Sequence, residues 1–175
     1  MSSQENSPNR KPHVVIVGAG PAGASTALLL ARNGIAVTML ERERDLERVF
    51  RGEGLMPTGL DALYQMGLRE KLDSLPWRHL ECWEIYLDGQ LAMSIPEPTA
   101  ALGDLALRVI SQSHLLGLLI SEASRYSHFK FLGGYTVRDL THDGTKYVGV
   151  IASGPGGETA IGADLTVGAD GRGSP

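Results

Sequence analysis

Cysteine is almost absent from this 175-residue chain: Cys82 stands alone. No disulfide can close within one copy, and no cysteine-based zinc site can be assembled. Neither sign of charge dominates, since 16 Lys and Arg against 20 Asp and Glu leave a net charge of −4. With no basic run longer than the mixed stretch Glu41 to Arg51, nucleic acid is excluded as the main partner. Long apolar runs are missing too. The longest, Ala27 to Ala31, falls far short of the roughly 18 residues of a membrane span. The polar start, Met1 to Lys11, has no apolar core of a secretory leader and reads as a disordered lead-in. These absences point to a cytoplasmic protein with no transmembrane segment. The five histidines share no ligand spacing, and His79 with Cys82 cannot complete a metal site.

Glycine is what the chain has in excess, with 22 residues of which nine fall in the last 35. A tail of that kind reads as short strands joined by tight turns. The front of the chain has a different grammar. His13 to Val17 is a continuous β-branched run, as in a strand buried on both faces of a parallel sheet. Ala22 to Asn33 is Ala- and Leu-rich, with Ala27, Leu30 and Ala31 on one stripe and Gly34 at the C-terminal cap. Ala36 to Leu40 is a second buried strand, completing a βαβ unit.

After Arg51 the chain turns through Gly52 to Gly54 into a helix, Pro57 to Met66, and a second short helix through Leu72. Trp77 to Leu87, Asp88-Gly89 and Leu91 to Ile95 predict a β-hairpin with a type I′ turn. Leu105 to Ile110 reads as a strand, Ser111 to Arg125 as a helix and His128 to Leu132 as a strand. The remainder, from Thr136 to Gly168, reads as antiparallel strands turning at Asp143-Gly144 and Gly154 to Gly157.

Gly18-Ala19-Gly20-Pro21-Ala22-Gly23 spells GxGxxG directly after the first strand and at the start of the first helix. Gly18 allows the tight turn, Gly20 lets a pyrophosphate approach the backbone, and Gly23 lets helix and strand pack closely. The diphosphate would rest on the helix N-terminus, where free N–H groups and the dipole favour negative charge. Glu41 ends the second strand. A carboxylate there accepts both ribose hydroxyls and repels a 2′-phosphate, so the ligand expected is FAD or NAD rather than NADP. This unit nominates Gly18, Gly20, Pro21, Ala22, Gly23, Glu41 and its neighbour Arg42 as cofactor-binding residues.

Three further segments extend the pattern: Arg51-Gly-Glu-Gly-Leu-Met-Pro57, Ile110-Ser-Gln-Ser-His-Leu115 and Val167-Gly-Ala-Asp-Gly-Arg-Gly-Ser174. With them, residues 12 to 174 resemble the FAD-dependent monooxygenases of the aromatic-hydroxylase type, which include squalene epoxidase and ubiquinone-pathway hydroxylases. The resemblance implies a Rossmann-like α/β FAD-binding domain with a parallel sheet, an antiparallel meander and part of a substrate-domain β-sheet. Its implied parts are the lead-in 1–11, the FAD-binding domain 12–76 and 105–175, and a substrate-domain hairpin 77–104. It adds Arg51, Gln112, Val137 and Asp170 to the cofactor-binding residues, Asp170 from a second fingerprint after a strand. No catalytic acid or base is nominated.

The function implied is oxidation by FAD. NADPH or NADH reduces the flavin, O₂ adds to give a C4a-hydroperoxide, and a small organic substrate, lipophilic ones included, is hydroxylated or epoxidised. Two alternatives stay open: a flavin reductase or saturase of the geranylgeranyl-reductase type, and a non-catalytic adenosine- or FAD-binding fragment. An NAD-dependent dehydrogenase would also use Glu41 and the glycines, but leaves the segments at Arg51 and Asp170 unexplained. The family's later Gly-Asp motif and C-terminal helices have no counterpart before Pro175. The chain is therefore expected to be the truncated front of a longer protein, inactive alone and open to self-association.

Overall fold

Strand and helix alternate through the first forty residues because the side chains do. The computed structural model describes residues 11–46 and 53–173, so the expected lead-in up to residue 10 lies outside the described residues. In chain order the first elements are β1 (His13–Val17), α1 (Pro21–Arg32), β2 (Ala36–Glu41), β3 (Gly54–Leu55), α2 (Pro57–Gln65), α3 (Arg69–Asp73) and β4 (Trp77–His79). There follow β5 (Cys82–Leu87), β6 (Gln90–Pro96), α4 (Thr99–Leu102), β7 (Arg108–Ile110) and α5 (Gln112–Ala123). The chain ends with β8 (Phe129–Gly133), β9 (Thr136–His142), β10 (Tyr147–Gly154), β11 (Gly157–Gly162) and β12 (Leu165–Gly168). It divides into two compact units, Met1–Leu46 with Leu119–Pro175, and Glu47–Leu118.

In the first unit a parallel sheet runs in the order β12-β1-β2-β8. Val14, Val15 and Ile16 of β1 and Val37, Met39 and Leu40 of β2 are buried, the signature of strands covered on both faces. Val15 and Leu40 join Val150 and Ala152 of β10 in one core cluster, with Val17, Leu132, Tyr135, Val137, Ile161 and Ala163 packed on it. The antiparallel sheet β11-β10-β9 therefore covers that face. α1 buries Gly23, Ala24, Ala27, Leu28 and Ala31, so Leu28 rather than the expected Leu30 carries its apolar stripe. A fully buried leucine of this kind contributes roughly 1.5–3 kcal/mol. The helix stops where Gly34 adopts φ +75° and Ile35 N–H bonds to the Leu30 carbonyl, satisfying an otherwise orphan acceptor.

The last strand corrects the sequence reading. Leu165–Gly168 was expected among the antiparallel strands, yet β12 pairs in parallel with β1 from Val14–Leu165 to Val17–Gly168. The cause lies at its root. Asp164 N–H donates to the His13 carbonyl at 2.8 Å, its carboxylate accepts from His13 N–H at 2.7 Å, and the His13 ring bridges the Gly162 carbonyl and Thr38 Oγ1. That clasp carries the chain from the meander to the free edge of β1.

In the second unit β7 lies between β3 and β4, while β5 and β6 form a separate hairpin turning at Asp88 and Gly89 with φ 49° and 76°. These are the two positive angles of a type I′ turn. The arm expected from Trp77 to Leu87 is broken at Leu80 and Glu81, because Trp77–His79 pairs with β7 instead. The strand expected over Leu105 to Ile110 is shorter, since Gly103–Leu105 is a 3₁₀ turn. α5 spans the boundary between the units. Among the described residues no helix is long and apolar enough to cross a membrane.

The β9–β10 turn generates a pH prediction. Asp143 Oδ1 accepts from Thr145 N–H, Thr145 Oγ1 and Lys146 N–H, and the two backbone donors above all lower its carboxyl from an ordinary 3.8 to about 2. The group is depressed on folding, so its stabilising contribution is complete above about pH 4 and is lost as pH falls towards 2. An NMR titration should place the Asp143 midpoint near 2, and Asp143→Asn should flatten the loss of stability in that window. A midpoint at the ordinary value overturns the assignment.

Candidate functional site

The loop between β1 and α1 is set by sterics before any ligand is considered. Gly18 has φ +100°, and a Cβ placed on it would lie 2.5 Å from the Ala169 carbonyl oxygen and 2.8 Å from Asp170 Cα. A Cβ on Gly23 would lie 2.0 Å from the Gly18 carbonyl oxygen. Both positions therefore require glycine. Ala169 N–H donates to the Val17 carbonyl at 2.7 Å, and Gly18 N–H to the Leu40 carbonyl at 2.7 Å. The two fingerprints, Gly18 to Gly23 and Gly168 to Gly171, are thus packed backbone against backbone.

Gly20 is different. A Cβ built there meets no atom of the described residues within 4 Å, so its glycine answers no contact among them. It is the N-cap of α1, has no side-chain cap, and is followed by Pro21 and by no acidic residue in the first turn. Pro21 has no N–H, and Ala24 N–H bonds to the Gly20 carbonyl. Helix geometry leaves the amides of Ala22 and Gly23 without intrahelical acceptors. Open space, two orphan donors and a helix dipole make a cradle that fits a phosphate group.

Glu41 closes one side of this cradle. It is 5% exposed, and its carboxylate accepts from Ala19 N–H at 2.8 Å and Glu43 N–H at 3.2 Å. The backbone of the same residue accepts from Tyr135 N–H at 2.8 Å. Its side chain is thereby oriented by the glycine loop, and its main chain by the start of β9. Arg42 stands exposed and paired with Glu43 at 3.3 Å.

The remaining nominated residues are distributed as follows. Asp170 is exposed directly after β12, with its Cα against Gly18. Val137 is half-buried in β9 and packs on the cluster that includes Leu40. The structure thus brings Gly18, Gly20, Pro21, Ala22, Gly23, Glu41, Arg42, Val137 and Asp170 together in the first unit. Gln112 opens α5 in the second unit, half-buried, and Arg51 lies outside the described residues. Two participants were missed: the Ala19 amide that holds Glu41, and the Tyr135 amide. Ala19 was visible as a member of the motif, whereas nothing in the sequence marks Tyr135. Among the described residues no group of three or more His, Cys, Asp or Glu could hold a metal.

Comparison with known proteins agrees with this geometry. The FAD binding domain family matches residues 11–175. The chain is 34% identical over 164 residues to 6-methylpretetramide 4-monooxygenase of Streptomyces rimosus, an alignment covering 91% of this chain and 38% of that protein. It is 33% identical over 161 residues to squalene epoxidase 4 of Arabidopsis thaliana, covering 90% and 31%. The solved ternary complex of aklavinone-11 hydroxylase with FAD and aklavinone matches with a TM-score of 0.78 at 25% identity, over 93% of this chain and 34% of that one. The chain spans 31–38% of the length of the two curated relatives.

The two kinds of glycine separate in mutagenesis. Gly20→Ala should cost no more than about 1 kcal/mol of stability, while weakening FAD binding about tenfold or more, equivalent to roughly 1.4 kcal/mol. Gly23→Ala should cost about 3 kcal/mol or more through overpacking against backbone. Urea unfolding and flavin-fluorescence titration measure both quantities. Equal effects of the two substitutions would refute the distinction.

Proposed function

The chain belongs to the FAD binding domain family, and from that premise we propose that it forms the FAD-binding front of a flavin-dependent monooxygenase. The observation that carries this reading is the cradle at Gly20, flanked by Glu41 and by the second fingerprint at Asp170. The Ala22 and Gly23 amides and the helix dipole would hold the FAD diphosphate. A carboxylate offers about four acceptor positions, so Glu41, oriented by amides, would also accept the ribose hydroxyls. Arg42, Val137, Gln112, Arg51 and Asp170 would complete the contacts to the cofactor. When bound, FAD supplies the redox chemistry with NADH or NADPH as electron donor and O₂ as oxidant, while the protein binds and orients it.

We assign residues 12–76 and 105–175 to the FAD-binding domain and 77–104 to a substrate domain. The β5–β6 hairpin supports a lipophilic substrate: Trp83, Ile85, Tyr86, Leu87, Leu91, Met93 and Ile95 are each at least 44% exposed. An apolar surface of that kind suits a pocket wall or a second copy of the chain rather than water. The relatives named for squalene and for 6-methylpretetramide favour a hydrophobic organic substrate. They oxygenate their substrates, which favours oxygenation over a reductase or a non-catalytic module.

Denaturing the purified full-length protein should release FAD, with its absorption band near ~450 nm, identified by mass. The full-length protein should then oxidise NADH or NADPH and consume O₂ in proportion to substrate. A folded chain that binds AMP or ADP but never FAD would replace this reading with the binding module, and NAD(P)H oxidation with substrate reduction but no O₂ consumption with the reductase.

A further inference from the structure

Arg108 is a charged residue where the fold would ordinarily place an aliphatic one. It lies in β7, the middle strand of its sheet, between Leu55 of β3 and His79 of β4, and is 5% exposed. Its neighbours in sequence, Ala106, Leu107 and Ile110, are all buried and apolar. Burying a guanidinium is costly unless its donors are met, and here one of them is not. Of its five N–H groups, Nη1 donates to Asp73 Oδ1 at 2.5 Å, while Nε is buried with no hydrogen-bond partner among the described residues. A stability role alone would be served better by leucine or methionine.

What the guanidinium does have is shape. It lies 4.1 Å from the Trp77 ring and 5.9 Å from the Tyr64 ring, and the Trp77 and His79 rings meet in a T-shaped contact at 4.9 Å and 82°. A planar cation stacked on rings and gripped by a carboxylate has one orientation, which a flexible ammonium lacks. Trp77 and His79 are the two ends of β4. Only Leu80 and Glu81 separate β4 from β5, so β4 is the root of the hairpin.

The hairpin cannot set that root for itself. Every residue of β6, and all of β5 except Cys82, is exposed, and an isolated two-stranded ribbon is marginal in water. Among the described residues its other hydrogen-bonded ties are Leu80 N–H to the Leu107 carbonyl at 3.4 Å, Glu97 N–H to the Glu81 carbonyl at 3.0 Å, and Trp83 Nε1 to Glu97 at 2.9 Å. We propose that Arg108 is a positioning residue that aims the β5–β6 hairpin by clamping Trp77 with its guanidinium, Trp77 in turn meeting His79, with Asp73 fixing the guanidinium. The use of that hairpin as a substrate wall rests on the function proposed above; the clamp itself does not.

The test is amide hydrogen exchange on the 175-residue chain, which reports local opening separately from global stability. Arg108→Met, which keeps the stem but loses the cation, should accelerate exchange over residues 82–96 by about tenfold or more and leave residues 13–41 within about twofold. In a Trp83→Phe background, where Trp77 is the single tryptophan, its emission should shift to the red. Arg108→Lys should fail to restore either signal. Asp73→Asn, which leaves the stack in place, should produce a smaller acceleration in the same segment. Unchanged exchange over 82–96 in Arg108→Met, full rescue by lysine, or equal acceleration in both segments would each overturn the proposal. None of these readouts depends on FAD or on turnover, so a failed monooxygenase assay would leave the clamp standing.

Discussion

The first unit depends on one close crossing of backbone. β12 leaves the sheet directly above the loop that joins β1 to α1, so near that a single carbon on Gly18 would meet the Ala169 carbonyl at 2.5 Å. Moving that crossing outward by the width of a methyl group would break the bonds from Gly18 to Leu40 and from Ala169 to Val17. α1 could no longer approach the sheet through Gly23, and the amides at its start would point elsewhere. The cradle is therefore a by-product of packing: strand, loop and helix meet so closely that side chains are shut out, and what remains at the surface is unclothed backbone. A site made this way needs no charged side chain to attract phosphate, since its donors are main-chain groups held by the core.

Glu41 links this packing to recognition. Its carboxylate is oriented by the Ala19 amide, inside the glycine loop, and its carbonyl accepts from Tyr135 at the entry to β9. A shift of the loop would therefore turn the carboxylate, and a shift of the meander would move the end of β2. The two roles proposed here, holding a diphosphate and selecting a ribose, would therefore rest on one set of hydrogen bonds.

The βαβ unit, Glu41 and the Asp88-Gly89 turn were legible because each obeys a local rule: continuous β-branched residues, a fixed glycine spacing, a dipeptide suited to positive φ. β12 was not legible in that way. Its four residues read equally well as meander or sheet, and the choice was made by Asp164 and His13, 151 positions apart. The break at Leu80–Glu81 was hidden for the same reason, since Trp77 to Leu87 looks like one strand until β7 competes for its first three residues. Val137 and Asp170 are nominated only through resemblance, because a lone valine in a strand and an aspartate before a glycine carry no chemistry of their own.

The two units also solve a shared problem in opposite ways. Both must fix backbone at an angle that the ordinary pairing of strands does not dictate. The first does so by removing side chains until only glycine fits, and the second by placing a large planar cation against an aromatic ring in the middle of a sheet. Excluding side chains costs conformational entropy in the unfolded chain. Burying Arg108 costs desolvation, and its Nε has no hydrogen-bond partner among the described residues to offset it. A fold selected for stability alone would use neither device, so the two together mark the places where orientation, rather than burial, is what the chain is built to hold: the amides at the start of α1 and the root of the β5–β6 hairpin.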